Sequence, residues 1–120
     1  ILLDLDNFKK YNDQFGHLEG DNLLRSIGPI ITQSIRHGVD SGFRYGGDEF
    51  AVILIDGTPE IAELTSKRIM DSIEKTCGIY ASAGYAVTSG EISVEQFIKE
   101  ADEALYRNKK QRKTGALKKT

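Results

Sequence analysis

The chain has 120 residues, 39% hydrophobic and 28% charged, with a formal net charge of −2, which describes one globular domain and excludes a disordered or fibrous segment. A single cysteine, Cys77, excludes a disulfide framework and a cysteine-cluster zinc site. No apolar run approaches the ~20 residues a membrane helix needs, and the chain opens on an apolar run without a basic leader or initiator Met. The expectation is a cytoplasmic piece of a longer polypeptide, without membrane contact of its own and with any anchor lying upstream. Cys77, on the edge of an apolar helix, reads as a small core residue.

Ile1 to Leu5 is a short apolar run that reads as a buried strand, with Asp4 near its end. Phe8, Tyr11 and Phe15 then recur at three and four, which predicts a short helix stopped by Gly16. A second helix is expected to open near Asp21, with Leu23, Leu24, Ile27, Ile30, Ile31 and Ile35 on one face. Its apolar face keeps phase across Gly28-Pro29, so a kink is expected there rather than a break.

Residues 41–55 read as a hairpin, with Gly46-Gly47 as a two-residue turn that tolerates the positive φ of tight hairpins and Phe50 to Ile55 as a central strand. Thr58 caps a third helix with Pro59 at its first position, Ile61, Leu64, Ile69 and Ile73 on its buried side, and Gly78 at its end. Ile79 to Thr88 reads as a strand in which Gly84 marks a bulge or a close backbone approach. Ser93 and Gln96 form a capping box for a last helix to Lys110, with Phe97, Ile98, Ala101, Ala104 and Leu105 as its apolar face. This order predicts an α/β (α+β) fold, helices flanking a mixed sheet, in a single domain over residues 1–120.

The charge is unevenly placed. Residues 107–120 carry +7 and no acid, which leaves −9 on residues 1–106. The bland expectation for such a segment is a solvated, partly disordered tail. The sharper one is a phosphate-binding arm set against an acidic site, with metal ions as go-betweens.

The carboxylates are where chemistry is expected. A charge at Asp4, in a buried strand, is costly unless paired or bound to metal. Asp48 and Glu49 follow the Gly-Gly turn directly. Because successive strand residues face opposite ways, at most one of them shares a face with Asp4 unless a bulge intervenes. Asp4 and one hairpin acid on neighbouring strands could share a divalent cation, which Mg²⁺ sites complete with substrate phosphates. The opening turn of the first helix, with Lys9, is a weak additional phosphate signal.

These residues resemble a known family. Arg44-Tyr45-Gly46-Gly47-Asp48-Glu49-Phe50 is similar to the signature of the GGDEF-domain diguanylate cyclases. Residues 4–21, DLDNFKKYNDQFGHLEGD, resemble that family's first block nearly position for position, and 101–110, ADEALYRNKK, resemble its C-terminal helix. The resemblance implies a fold like the palm of nucleotide polymerases and class III nucleotide cyclases. It implies condensation of two GTP into cyclic di-GMP with release of two pyrophosphates.

By that resemblance, Asp4 and the Leu5 carbonyl would bind metal together with Asp48, the proton acceptor for the 3′-hydroxyl. The cofactor would be Mg²⁺ or Mn²⁺, two per site. Asn12 and Asp21 would read guanine, Phe8 and His17 would belong to the substrate site, and Lys9 would stabilise the phosphates in the transition state. Glu49 is a further signature residue, and Lys109 and Lys113 match the phosphate arm. An Asn amide with an Asp carboxylate suits guanine, whose N1–H and 2-amino group adenine lacks.

Three departures accompany the match. The frame of the family's Arg-x-x-Asp inhibitory motif reads His37-Gly38-Val39-Asp40 here, with Arg36 one residue out of register. In the phosphate arm Lys113 replaces an arginine and the preceding glycine is missing; a lysine cannot make the bidentate arginine fork. The family's N-terminal helix and wide turn are not within these residues, so the domain is expected to be truncated at its N-terminus.

One Asp4/Asp48 pair and one Asn12/Asp21 pair serve one GTP, so two copies of the domain are expected to face each other. An upstream sensor or receiver is the expected partner in the chain, and nucleic acid is not. The competing expectation is a catalytically weak relative that binds GTP or cyclic di-GMP as a regulatory module.

Overall fold

In the computed structural model the backbone of residues 1–119 and the side chains of residues 1–112 are described. The elements run β1 (Leu2–Leu5), α1 (Phe8–Phe15), α2 (His17–Ser34), β2 (Ser41–Arg44), β3 (Glu49–Ile53), α3 (Pro59–Cys77), β4 (Ala81–Gly84) and α4 (Val94–Lys119). The expected order of elements is therefore met.

The four strands form one sheet in the order β2-β3-β1-β4. All of its pairings are antiparallel, where a mixed sheet was expected. The reason lies in the crossovers. α1 and α2 connect β1 to β2, which run parallel but are separated by β3. α3 connects β3 to β4, which run parallel but are separated by β1. Each crossover straddles a strand of opposite direction, as in split βαβ folds.

Alternation along β1 divides the core. Leu3 and Leu5 join Phe50, Val52, Ala81 and Ala83 under α2 and α3, where Ile27, Ile69 and Ile73 are fully buried. Leu2 and Ala51 face the other way and pack on Ala101 and Leu105 of α4. Asp4 shares the Leu2 face, so it lies on the α4 side. Gly84 permits this layer to close. A Cβ there would stand 2.0 Å from the Leu105 backbone nitrogen and 2.6 Å from the Ala101 carbonyl oxygen. The close approach expected at Gly84 is thus observed.

Several local expectations need correction. α2 opens at His17, not near Asp21, because Gly16 with φ 90° both ends α1 and begins α2. Asp21 is accordingly in the second turn and is not an N-cap. As expected, α2 is not broken at Pro29 but continues through it. In α3 the buried stripe is Ala62, Thr65, Ser66, Ile69 and Ile73, while Ile61 and Leu64 are exposed. Thr58, Pro59 and Gly78 act as expected, with the Thr58 hydroxyl accepting from the Ile61 N–H at 3.2 Å and Gly78 left-handed.

β3 is an interior strand, but Ile53 and Ile55 are exposed and its buried part is Phe50 to Val52. β4 is shorter than expected because Gly84 already pairs with Leu2, where β1 runs out. The Ser93 hydroxyl accepts from the Gln96 N–H at 3.1 Å, one half of the capping box. The last helix, expected to end at Lys110, runs on to Lys119, so the basic segment is helical where the bland expectation was a partly disordered tail. Cys77 is half-buried against the main core, and burial pushes its thiol pKa up.

Candidate active site

The hairpin loop is built differently from the expected two-residue turn. The ladder register runs from Ser41↔Ile53 to Arg44↔Phe50. The N–H groups of Tyr45 and Gly46 then both donate to the Glu49 carbonyl, at 2.9 and 3.2 Å. Neither Gly46 nor Gly47 adopts a positive φ. A Cβ on Gly47 would meet nothing within 4 Å, and one on Gly46 would make ordinary contact with Glu49. The fold itself therefore has no steric need for this pair of glycines.

Asp48 ends the loop, ahead of β3, and its carbonyl accepts from the Leu5 N–H at 3.2 Å. Glu49 opens β3 directly opposite Asp4. The alternation rule admits one of the two acids to the Asp4 face. Glu49 takes that place by register, and Asp48 reaches Asp4 because it lies off the ladder, so no bulge is required. Burial, and then the negative charge of Asp4, push the Asp48 pKa up. The same two causes, joined by Asp48 and Asp102, raise Glu49.

Lys109, from α4, pairs with Asp4 Oδ2. Burial opposes its charge, but the bond to Asp4 and the fields of Asp4, Asp6 and Asp48 outweigh it and raise the Lys109 pKa. Asn108 fixes the same turn of α4 by accepting from the Ala83 N–H at 3.0 Å. One turn on, Arg112 lies 3.4 Å from Asp6 and over the Tyr80 ring. Asp6 also accepts from the buried Ser82 hydroxyl at 2.8 Å. Asp6, Ser82, Asn108 and Arg112 were not singled out from sequence. An acid two residues after Asp4 and an arginine three after Lys109 were the available signals.

Asp4 Oδ1 is buried and has no hydrogen-bond partner among the described residues. A buried anionic oxygen left unpaired is costly, and a hard cation would satisfy it. Among the described residues no three His, Cys, Asp or Glu side chains make a ready metal cage. The Asp4 and Asp48 carboxylates are nevertheless a pair of oxygen donors of the kind that binds Mg²⁺ with substrate phosphates completing the shell. The donors fit the metal.

A cleft of about 410 Å³ opens beside these groups, lined by Asp4, Glu49, Asp102, Tyr106, Arg107 and Lys109 among others. A second, of about 510 Å³, lies on the α2 side and is lined by Asp21, Leu24, Arg25, Phe43 and Arg44 among others. Asn12 sits where α1 meets α2. Its Oδ1 is buried without a hydrogen-bond partner among the described residues, and a Cβ on Gly20 would come within 1.7 Å of it. Asp21 follows Gly20 directly. Phe8 packs on the main core, and Lys9 and His17 are exposed. No hydrogen bond or ion pair among the described residues holds Lys9 or His17 to the acids. The side chain of Lys113 lies outside the described residues.

The family model for the GGDEF domain of diguanylate cyclases matches residues 1–115. The chain belongs to the GGDEF family. The diguanylate cyclase DgcS of Shewanella oneidensis is 42% identical over 114 residues, which is 91% of this chain and 38% of that protein. The diguanylate cyclase DosC of Escherichia coli K12 is 36% identical over 115 residues, 88% of this chain and 25% of its own length. This GGDEF domain thus spans well under half of the curated relatives it matches.

Solved structures agree on the fold. The active GGEEF domain of a diguanylate cyclase from Vibrio cholerae superposes with a TM-score of 0.81 at 30% identity, over 92% of this chain and 74% of that one. The GGDEF domain of DgcB from Caulobacter crescentus, in complex with c-di-GMP, does so at 0.81 and 29% identity, over 92% and 70%. The helix-flanked sheet expected from sequence is therefore the GGDEF fold.

Proposed function

We propose that this GGDEF domain condenses two GTP molecules into cyclic di-GMP. The observation that carries the reading is the meeting of Asp4, Asp48 and Glu49 with Lys109 at one end of the sheet. Asp4, Asp48 and the Leu5 carbonyl would hold Mg²⁺ or Mn²⁺, two ions per site. Bound there, the metal supplies Lewis-acid stabilisation of charge on the attacking and leaving oxygens.

The chain's own residues do the rest by positioning and charge. Asp48, at the acidic end of the sheet beside Asp4, takes the proton from the 3′-hydroxyl of one GTP. That oxygen bonds to the α-phosphorus of the other GTP, and the bond to the β-phosphate breaks to release pyrophosphate. The step occurs twice to close the ring. Lys9 and Lys109, with Lys113 further along the arm, balance phosphate charge. Glu49 supports the acidic end of the sheet opposite Asp4.

Asn12 and Asp21 read the guanine edge from the α1–α2 contact, and Phe8 and His17 belong to the same substrate site. The open space beside Gly47 gives the signature glycines a purpose that the fold does not, namely close approach of a ligand to backbone. Each domain holds one GTP, so two copies oppose their sites across a two-fold axis. In the cytoplasm, an upstream sensor or receiver in the full chain would control that pairing.

The test is incubation with GTP and Mg²⁺, product identification by mass spectrometry, and initial rate measured against protein concentration. Cyclic di-GMP, with a rate per molecule that rises with concentration, supports the reading. No product from GTP at any concentration overturns the cyclase. Strict linearity with a monomer under assay conditions overturns the two-copy model.

A further inference from the structure

Arg44 closes β2 immediately ahead of the glycine loop, and its guanidinium grips that loop. Its Nε donates to the carbonyls of Gly46 at 3.2 Å and Gly47 at 3.0 Å, and its Nη2 donates to Gly47 at 2.6 Å. From inside, the N–H groups of Tyr45 and Gly46 are held by the Glu49 carbonyl, and the Asp48 carbonyl is held by the Leu5 N–H.

The loop is not shaped by the special backbone freedom of glycine. Neither glycine uses a positive φ. With two residues able to adopt many conformations, the loop is costly to order. What orders it is the set of ties just named, and Arg44 provides the side-chain tie recorded for its carbonyls among the described residues. Those two carbonyls immediately precede Asp48, whose carboxyl stands next to Asp4.

We propose that Arg44 is a positioning residue: its fork holds the Gly46 and Gly47 carbonyls and thereby aims the Asp48 carboxylate at Asp4. The proposal rests on Asp48 as a metal ligand and proton acceptor. It assigns Arg44 no contact with substrate. A lysine would not replace it, because a single ammonium lacks the planar fork that spans two carbonyls.

The variants are Arg44→Ala, Arg44→Lys and, as a reference, Asp48→Asn. Arg44 is exposed, so both arginine variants should fold with unchanged circular dichroism. Outer residues that orient metal ligands typically govern affinity or activity by roughly 10–100-fold. Mn²⁺ binding, followed by electron paramagnetic resonance without nucleotide, should weaken about tenfold or more in Arg44→Ala and Arg44→Lys. Amide exchange at Tyr45 and Gly46 should quicken in both.

In the GTP assay kcat should fall while KM for GTP holds. Millimolar guanidinium should restore part of the loss in Arg44→Ala, and equal ammonium should not. Wild-type Mn²⁺ affinity or unchanged amide exchange in Arg44→Ala would overturn the positioning role and leave the reading of Asp48 standing. Unchanged Mn²⁺ binding in Asp48→Asn would overturn the reading of Asp48, and the positioning role with it.

Discussion

Asp4 on β1 and Glu49 on β3 stand directly opposite each other in an antiparallel ladder. Like charges so placed destabilise a sheet, and Asp48 adds a third acid to the same end. Lys109 offsets part of this by pairing with Asp4. A fold optimised for stability alone would not gather three carboxylates here, and sites that break such local rules are where function is expected.

Asp48→Asn should therefore separate stability from activity. Cyclisation should fall at least about 10³-fold, since metal stabilisation is worth several kcal/mol and each 1.4 kcal/mol or so is tenfold. In metal-free buffer the melting temperature should hold or rise at neutral pH. The sign follows from the raised pKa of Asp48. The folded state disfavours its ionised form, so the penalty is present above the raised pKa and fades as pH falls toward the ordinary value. Thermal melts of both proteins across that range test it; a variant that melts lower at neutral pH contradicts the assignment. Asp4→Asn should lose activity to the same extent with the fold retained.

Asp21→Ala should relax base choice. Loss of an acceptor for the N1–H and 2-amino group of guanine should weaken GTP about 10- to 100-fold, the range for a charged hydrogen bond. ATP should weaken far less. Competitive nucleotide binding reads both, and a fully retained GTP preference would place guanine recognition elsewhere.

Gly84→Ala should loosen α4. The added methyl would stand 2.0 Å from the Leu105 nitrogen and 2.6 Å from the Ala101 carbonyl oxygen. Both are backbone atoms, so the helix has to shift as a body, at a cost of roughly 1–3 kcal/mol or more. Urea unfolding measures this loss. Lys109 would move with the helix, so GTP turnover should fall as well.

The Arg36–Asp40 pair supplies an acid-sensitive clasp. Asp40 accepts from Arg36 Nε at 2.9 Å and Nη2 at 2.8 Å, and from the backbone N–H groups of Arg36 and Ile55. The Arg36 bonds, first among the causes, lower the Asp40 pKa from 3.8 to about 2. A depressed pKa stabilises above the unfolded value and is lost as pH falls through the folded one. Asp40→Asn should thus be less stable than wild type at neutral pH, by no more than about 1 kcal/mol because solvent screens a pair whose arginine is exposed. The gap should close between pH 3.8 and about 2; a gap independent of pH would contradict it. This clasp also engages Arg36, the arginine that stands one residue out of the Arg-x-x-Asp register.

Much of this was legible in the linear chain because it is local. Period and capping chemistry act within a few residues, so Thr58-Pro59, Gly78, the helical run through Pro29 and the order of elements follow directly. The three blocks at 4–21, 44–50 and 101–110 likewise identify the family, because a signature is a string of side chains.

What the chain order does not contain is phase and register across distance. The start of α2 at His17 depends on a single glycine with φ 90°. The buried stripe of α3 depends on how the helix rolls against β4 and α2. Whether Asp48 or Glu49 meets Asp4 depends on a ladder between residues more than forty positions apart, and the tertiary structure answers that both do. It likewise brings Lys109 onto Asp4 and Arg112 onto Asp6, because α4 lies flush on β1 and β4 where Gly84 and Ala101 leave room. Such contacts are settled by packing, which is a property of the whole fold and is written in no one stretch of sequence.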